Sequence, residues 1–142
     1  MRTNLKIASS GLMALMLLAM VGCQTAPSAQ VKRYAWITGL RPDMEAKYRD
    51  LHAHPWASVN KTIKDCNIQN FSIYEREIDG KLYLFAYLEY VGSDFDADMK
   101  KMAADPETQR WWKQTDPCQD PLPEAKAKGK IWADTTEVYH LD

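Results

Sequence analysis

An α+β domain, with a four-stranded antiparallel sheet carrying helices on one face, is what this sequence predicts. Three observations carry that expectation: segments rich in β-branched and aromatic residues, apolar residues at three- and four-residue steps between them, and turn residues at the junctions. The 142 residues, 46% hydrophobic and 26% charged, suit one globular domain behind an apolar N-terminus and leave no room for a second.

Residues 33–40 form the first strand, which stops at Arg41-Pro42. Asp43 can cap the helix that follows, in which Met44, Tyr48, Leu51 and His52 fall at helical spacing. His54-Pro55 ends that helix, because the residue before a proline is pushed out of the α region. Pro55 opens the next, with Trp56, Val59, Ile63 and Cys66 on one apolar stripe. Asn70 to Tyr74 alternates, Asp79-Gly80 supplies a tight turn, and Lys81 to Tyr90 completes a β-hairpin. Asp94 to Ala104 makes a helix through Phe95, Met99 and Met102, and Pro106 opens another that ends near Lys113. Pro117, Pro121, Pro123 and Gly129 mark Asp116 to Gly129 as a long surface loop, after which Trp132 to Leu141 reads as the last strand.

Strand, helices, strand, strand, helices, strand is the ferredoxin-like split βαβ order. Depending on register, Tyr34, Trp36, Tyr83, Phe85, Tyr87 and Tyr139 are left on the sheet face away from the helices. An apolar face of that kind pairs with a second copy or lines a pocket, and a homodimer that does both is expected.

The N-terminus has the layout of a secretory signal. Met1 to Lys6 carries two positive charges, Ile7 to Val21 is largely apolar, and Gly22 precedes Cys23. The apolar run falls short of the roughly 20 residues a membrane-spanning helix needs. Ala19-Met20-Val21-Gly22-Cys23 resembles a bacterial lipobox, which makes 1–22 a lipoprotein signal peptide, Cys23 the lipidated residue, 23–31 a tether and 32–142 the domain. An ordinary cleaved signal peptide with an incidental Cys23 is the alternative. Acyl chains would fix the protein to a membrane, since each buried methylene contributes ~0.8 kcal/mol. Gln24, which is not the Asp of an inner-membrane retention signal, favours the outer membrane, facing the periplasm.

The formal net charge of −1 counts Arg2 and Lys6, so without that leader it is about −3, and no dense basic block follows. Nucleic acid is therefore not an expected partner. Cys66 and Cys118 read as structural thiols, although an exported chain could pair them. The three histidines offer no metal cluster, because His52 and His54 are two residues apart and His140 is distant.

Five Trp and seven Tyr are a generous supply of flat apolar faces. Tyr48 and His52, four residues apart, share one helix face and can reach one ligand, or can form an aromatic surface packed on the sheet. The macrodipole at the helix C-terminus favours an imidazolium at His52. Adjacent Trp111 and Trp112 point about 100° apart, so one can pack inward while the other lines a cleft or meets a second copy. Indole faces suit the C–H surface of a sugar ring.

Taken together, Tyr48-x-x-x-His52-x-x-x-Trp56, Asn70-Phe71-Ser72-Ile73-Tyr74, Gln109-Arg110-Trp111-Trp112-Lys113 and Glu137-Val138-Tyr139 resemble the L-rhamnose mutarotase family in order and spacing, from about Arg33 to Asp142. The resemblance implies a dimeric α/β barrel built from ferredoxin-like subunits, without metal or organic cofactor. It implies an isomerase that interconverts the α and β anomers of a free monosaccharide, L-rhamnose or a related deoxy sugar, by acid–base ring opening. His52 matches the family's proton donor, and Tyr48, Trp111 and Trp112 match its sugar-binding residues. Phe71 stands at a further substrate-binding position where the family commonly has Tyr. Competing readings are a non-catalytic sugar-binding lipoprotein, a module that uses the sheet face for assembly only, and, on fold analogy, a small-molecule oxygenase.

Overall fold

The computed structural model describes residues 30–141. The leader, Cys23 and the tether up to residue 29 lie outside the described residues. Strand β1 (Lys32–Leu40) leads through a short 3-10 turn (Pro42–Met44) into helices α1 (Glu45–Ala53) and α2 (Ala57–Asp65). A hairpin of β2 (Ile68–Ile78) and β3 (Lys81–Tyr90) follows, then α3 (Phe95–Ala104) and α4 (Pro106–Thr115). The remainder holds a 3-10 turn (Asp116–Cys118), β4 (Gln119–Asp120), α5 (Pro123–Lys126) and β5 (Ala133–Asp134). The sheet order is β2-β3-β1-β4, with β5 also pairing β1, and every pairing is antiparallel. This is the expected ferredoxin-like order.

Local chemistry sets the boundaries. The Asp79-Gly80 turn has positive φ at both residues (51° and 72°), as a two-residue hairpin connection requires. Asp94 caps α3 by accepting from the Ala97 N–H at 3.0 Å, and Asp105 caps α4 by accepting from the Thr108 N–H at 2.8 Å ahead of Pro106. Asp43 caps nothing. Its carboxylate instead takes the Arg41 guanidinium in two hydrogen bonds of 2.8 and 3.2 Å, and α1 starts without a side-chain cap.

The register decides which aromatic residues face the helices. Tyr34 pairs with Leu88 and Trp36 with Ala86, so both lie on the helix-side face, packed against the buried cluster of Cys66, Ile68, Leu88, Tyr90 and Met102. Tyr83, Phe85 and Tyr87 occupy the intervening positions and face the other way, beside Ile37 and the exposed Tyr74. A second cluster joins Leu40, Tyr48, Leu84 and Cys118. Cys66 and Cys118 thus sit in separate clusters as free, buried thiols, each pushed up in pKa by burial.

Two expectations need correction. Trp132 to Leu141 is not one strand. Only Ala133–Asp134 pairs with β1, opposite Ile37 and Trp36, because Gln119–Asp120 already occupies the same edge opposite Leu40 and Gly39. After the Thr135 N–H and hydroxyl bond to the Ala35 carbonyl, Val138, Tyr139 and Leu141 are exposed, and among the described residues no strand pairs with them. Nor is Asp116 to Gly129 an open surface loop. It folds into the 3-10 turn, β4 and α5, and it buries Cys118, Gln119 and Ala125.

The contact between β1 and β4 is close. A Cβ on Gly39 would lie 2.5 Å from the Asp120 carbonyl oxygen, so only glycine admits this pairing. Gly39→Ala is expected to push β4 away and cost about 1–3 kcal/mol. A thermal melt that matches the wild type would refute this.

Candidate active site

Helix α1 presents its inner face through Tyr48 and His52. The Tyr48 ring, 4% exposed, is tilted against the His52 ring at 4.1 Å. His52 in turn meets Trp111 edge-on at 5.4 Å, and Trp111 meets Trp56 edge-on at the same distance. This row of rings joins α1, α4 and the start of α2. Thr108, Trp111 and Thr115 are the buried stripe of α4, whereas Trp112 points to the rim and is 37% exposed.

Between these helices and the sheet lies a cavity of about 390 Å³, within the usual range for small-molecule sites. Tyr48, His52, Phe71, Trp111 and Trp112 all line it. Every expected site residue of the domain therefore meets in one place. Phe71 arrives there by a bulge in β2: Gln69 pairs with Glu89 and Ser72 with Tyr87, so Asn70 and Phe71 together oppose Leu88. Asn70 takes a positive φ of 49°, and its side-chain amide and that of Gln69 donate to the Glu89 carboxylate at 2.7 and 3.0 Å. The alternating pattern gave no signal for that bulge.

The electrostatics are set by burial. His52 Nδ1 lies 2.9 Å from the Tyr48 carbonyl oxygen. A carbonyl can only accept, so Nδ1 carries the hydrogen and Nε2 is the nitrogen left for a ligand. Burial lowers the His52 pKa, and the bond to Tyr48 only partly opposes that. This direction is opposite to the one the macrodipole argument gives, and burial is its largest cause. Burial also drives the Tyr48 phenol well above its ordinary pKa, so it stays protonated and serves as a hydrogen-bond donor. The nearby side chain of Gln119 opposes that rise only in part.

The family model for L-rhamnose mutarotase matches residues 33–141. The chain belongs to the L-rhamnose mutarotase family. Among relatives, the L-rhamnose mutarotase of Opitutus terrae is 30% identical over 110 residues, covering 78% of this chain and 98% of that protein. The L-rhamnose mutarotase of Bacillus subtilis is 30% identical over 112 residues, covering 79% of this chain and all (100%) of that one. In structure, the chain is similar to the crystal structure of L-rhamnose mutarotase from Formosa agariphila, with a TM-score of 0.58 at 20% identity over 78% of this chain and 99% of that chain. At that identity the likeness speaks for the ferredoxin-like fold.

Besides the residues expected from the mutarotase pattern, the cavity is lined by Trp36, Asp116 and Gln119, which sequence reasoning passed over. Trp36 and Tyr34 are expected, depending on register, on the face away from the helices, and the observed register turns both to the helix side because alternation alone does not tell which side is covered. Asp116 and Gln119 were hidden in a stretch whose prolines suggested an exposed loop. The usable signal was the spacing of Asp116, four residues after Trp112, which continues the α4 face by one turn.

Proposed function

We propose that the chain is an aldose mutarotase, a cofactor-independent isomerase that interconverts the α and β anomers of L-rhamnose or a related deoxy sugar. Family membership supports the activity. The observation that carries the assignment of roles is the meeting of an imidazole, a protonated phenol and two indoles in one cavity.

In this reading the indoles of Trp111 and Trp112 take the C–H surface of the pyranose, and the Tyr48 hydroxyl donates to a sugar oxygen. His52, as the imidazolium with its Nδ1–H held by Tyr48, donates from Nε2 to the ring oxygen while the anomeric hydroxyl loses its proton. The bond between C1 and the ring oxygen breaks and C1 becomes a carbonyl. Rotation about C1–C2 and the reverse transfers then close the ring on the other face. A positioned acid and base contribute about 10²–10⁴ in rate, enough for a reaction that already proceeds in water.

The test is saturation-transfer NMR of anomeric exchange over rhamnose, fucose and galactose. Exchange above the buffer rate for at least one sugar is the expected result. Calorimetric binding with exchange at the buffer rate would instead identify a binder that is not an enzyme. Phe71 is the position where specificity is adjusted: Phe71→Tyr adds a hydroxyl beside the sugar and should lower KM for rhamnose by roughly two- to tenfold, the worth of one neutral hydrogen bond. An unchanged profile across the panel would remove Phe71 from the specificity argument.

The face formed by Ile37, Tyr74, Tyr83, Phe85 and Tyr87 supports a homodimer in which a second copy covers the sheet, which light scattering of the purified domain would test. Attachment through a lipidated Cys23 to the outer membrane is likewise our reading of the N-terminal sequence. It predicts that Cys23→Ala moves the protein from the membrane fraction to the soluble periplasm.

A further inference from the structure

The mutarotase reading needs a second proton-transfer group, and Tyr48 does not qualify because burial holds its phenol protonated. We propose that Asp116 is that group: its carboxylate takes the proton of the anomeric hydroxyl while His52 protonates the ring oxygen.

Four observations support it. Asp116 lines the same cavity as His52, Tyr48 and both tryptophans. Its backbone N–H donates to the Trp112 carbonyl, so it sits one turn below the indole at the cavity rim. Among the described residues, none gives its half-buried carboxylate a salt bridge or hydrogen bond, and a desolvated carboxylate left without a donor is available to a ligand hydroxyl. Its charge also helps to keep the Tyr48 phenol protonated, so the two groups are near enough to interact across the cavity. Burial raises the Asp116 pKa, bringing the carboxylate nearer in basicity to the lowered imidazole it would work against.

The step balances without a co-reactant. In opening, the imidazolium of His52 loses its Nε2 proton to the ring oxygen, the C1–O bond pair stays on that oxygen, and the anomeric O–H pair becomes the second C1–O bond as Asp116 accepts the proton. In closing, neutral His52 takes the proton back from the ring hydroxyl as that oxygen attacks C1, and Asp116 returns its proton to the former carbonyl oxygen. The pair holds one proton before and after each turnover.

This inference rests on the mutarotase reading, and the experiment separates the two. Asp116→Asn keeps the shape and removes the base. Its kcat for rhamnose exchange should fall about 10²–10⁴-fold, while the calorimetric Kd for rhamnose stays within about threefold of wild type. In Asp116→Ala, added formate should restore part of the lost kcat, which a merely structural role would not allow. A wild-type kcat in Asp116→Asn, or a folded, sugar-binding Asp116→Ala that formate leaves unimproved, overturns the assignment of Asp116 alone. Wild-type protein that fails to exceed the buffer rate on every sugar overturns the mutarotase reading and this inference with it.

Discussion

Replacing His52 with asparagine should lower anomeric exchange on rhamnose by about 10²–10⁴-fold, with sugar binding kept within roughly tenfold. The reason is geometric. His52 is fixed by its Nδ1–H bond to the Tyr48 carbonyl, by the tilted Tyr48 ring and by the edge of Trp111, so its Nε2 is the one nitrogen of this ring free to meet a substrate. Asparagine fills part of that volume and carries no titrating nitrogen. Saturation-transfer NMR reads the loss directly, and a variant with the wild-type rate would end the acid assignment.

The same residue leaves a mark on stability. Because the folded state holds the His52 pKa below its unfolded value, the unfolded chain binds the proton first. That term is absent above the unfolded pKa of about 6.5 and destabilises the fold progressively as pH falls below it. His52→Asn removes the term. Melting curves of the two proteins should therefore converge or cross on acidification from neutral pH, and a constant gap from pH 7 to 5 would contradict a folded state that lowers the His52 pKa.

The second large effect is on folding. Trp111 is 7% exposed and touches both His52 and Trp56, so Trp111→Ala empties the middle of the ring row. A loss of about 3–5 kcal/mol is expected for truncating a buried indole. Urea titration measures it, and a loss under about 1 kcal/mol would mean that the site collapses without penalty. Trp112, at the rim, should behave differently: its truncation mainly raises KM. The adjacent indoles, alike in sequence, are thus separated by which side of α4 meets the sheet.

Much of this architecture was legible because local and global signals agree. Asp94 and Asp105 stand where caps are needed, Asp79-Gly80 suits the hairpin, and the stripe through Trp56, Val59 and Ile63 faces the core. Helical spacing put Tyr48 and His52 on one face, while the roles of these two and of Trp111 and Trp112 came from the resemblance to the L-rhamnose mutarotase family. The failures lie where the deciding information is not written in a segment's own residues. Trp132 to Leu141 has strand composition, yet the edge it would need is shared with Gln119–Asp120. Asp116 and Gln119 looked like loop residues because prolines that start short helical turns are indistinguishable, in sequence, from prolines that end them. The His52 pKa went the other way from the helix-dipole argument because neighbours distant in sequence decide how much water an imidazole keeps.

One feature of the backbone separates two properties that enzymes often find hard to change independently. Trp111, Trp112 and Asp116 ride on one continuous helical stretch, so any tilt of α4 moves the two indoles and the carboxylate as a single body. Phe71 hangs instead from the β2 bulge, held by amides that reach Glu89 across the hairpin. In the proposed mutarotase, sugar preference would therefore drift through residue 71 while the groups assigned to ring opening are left where they are.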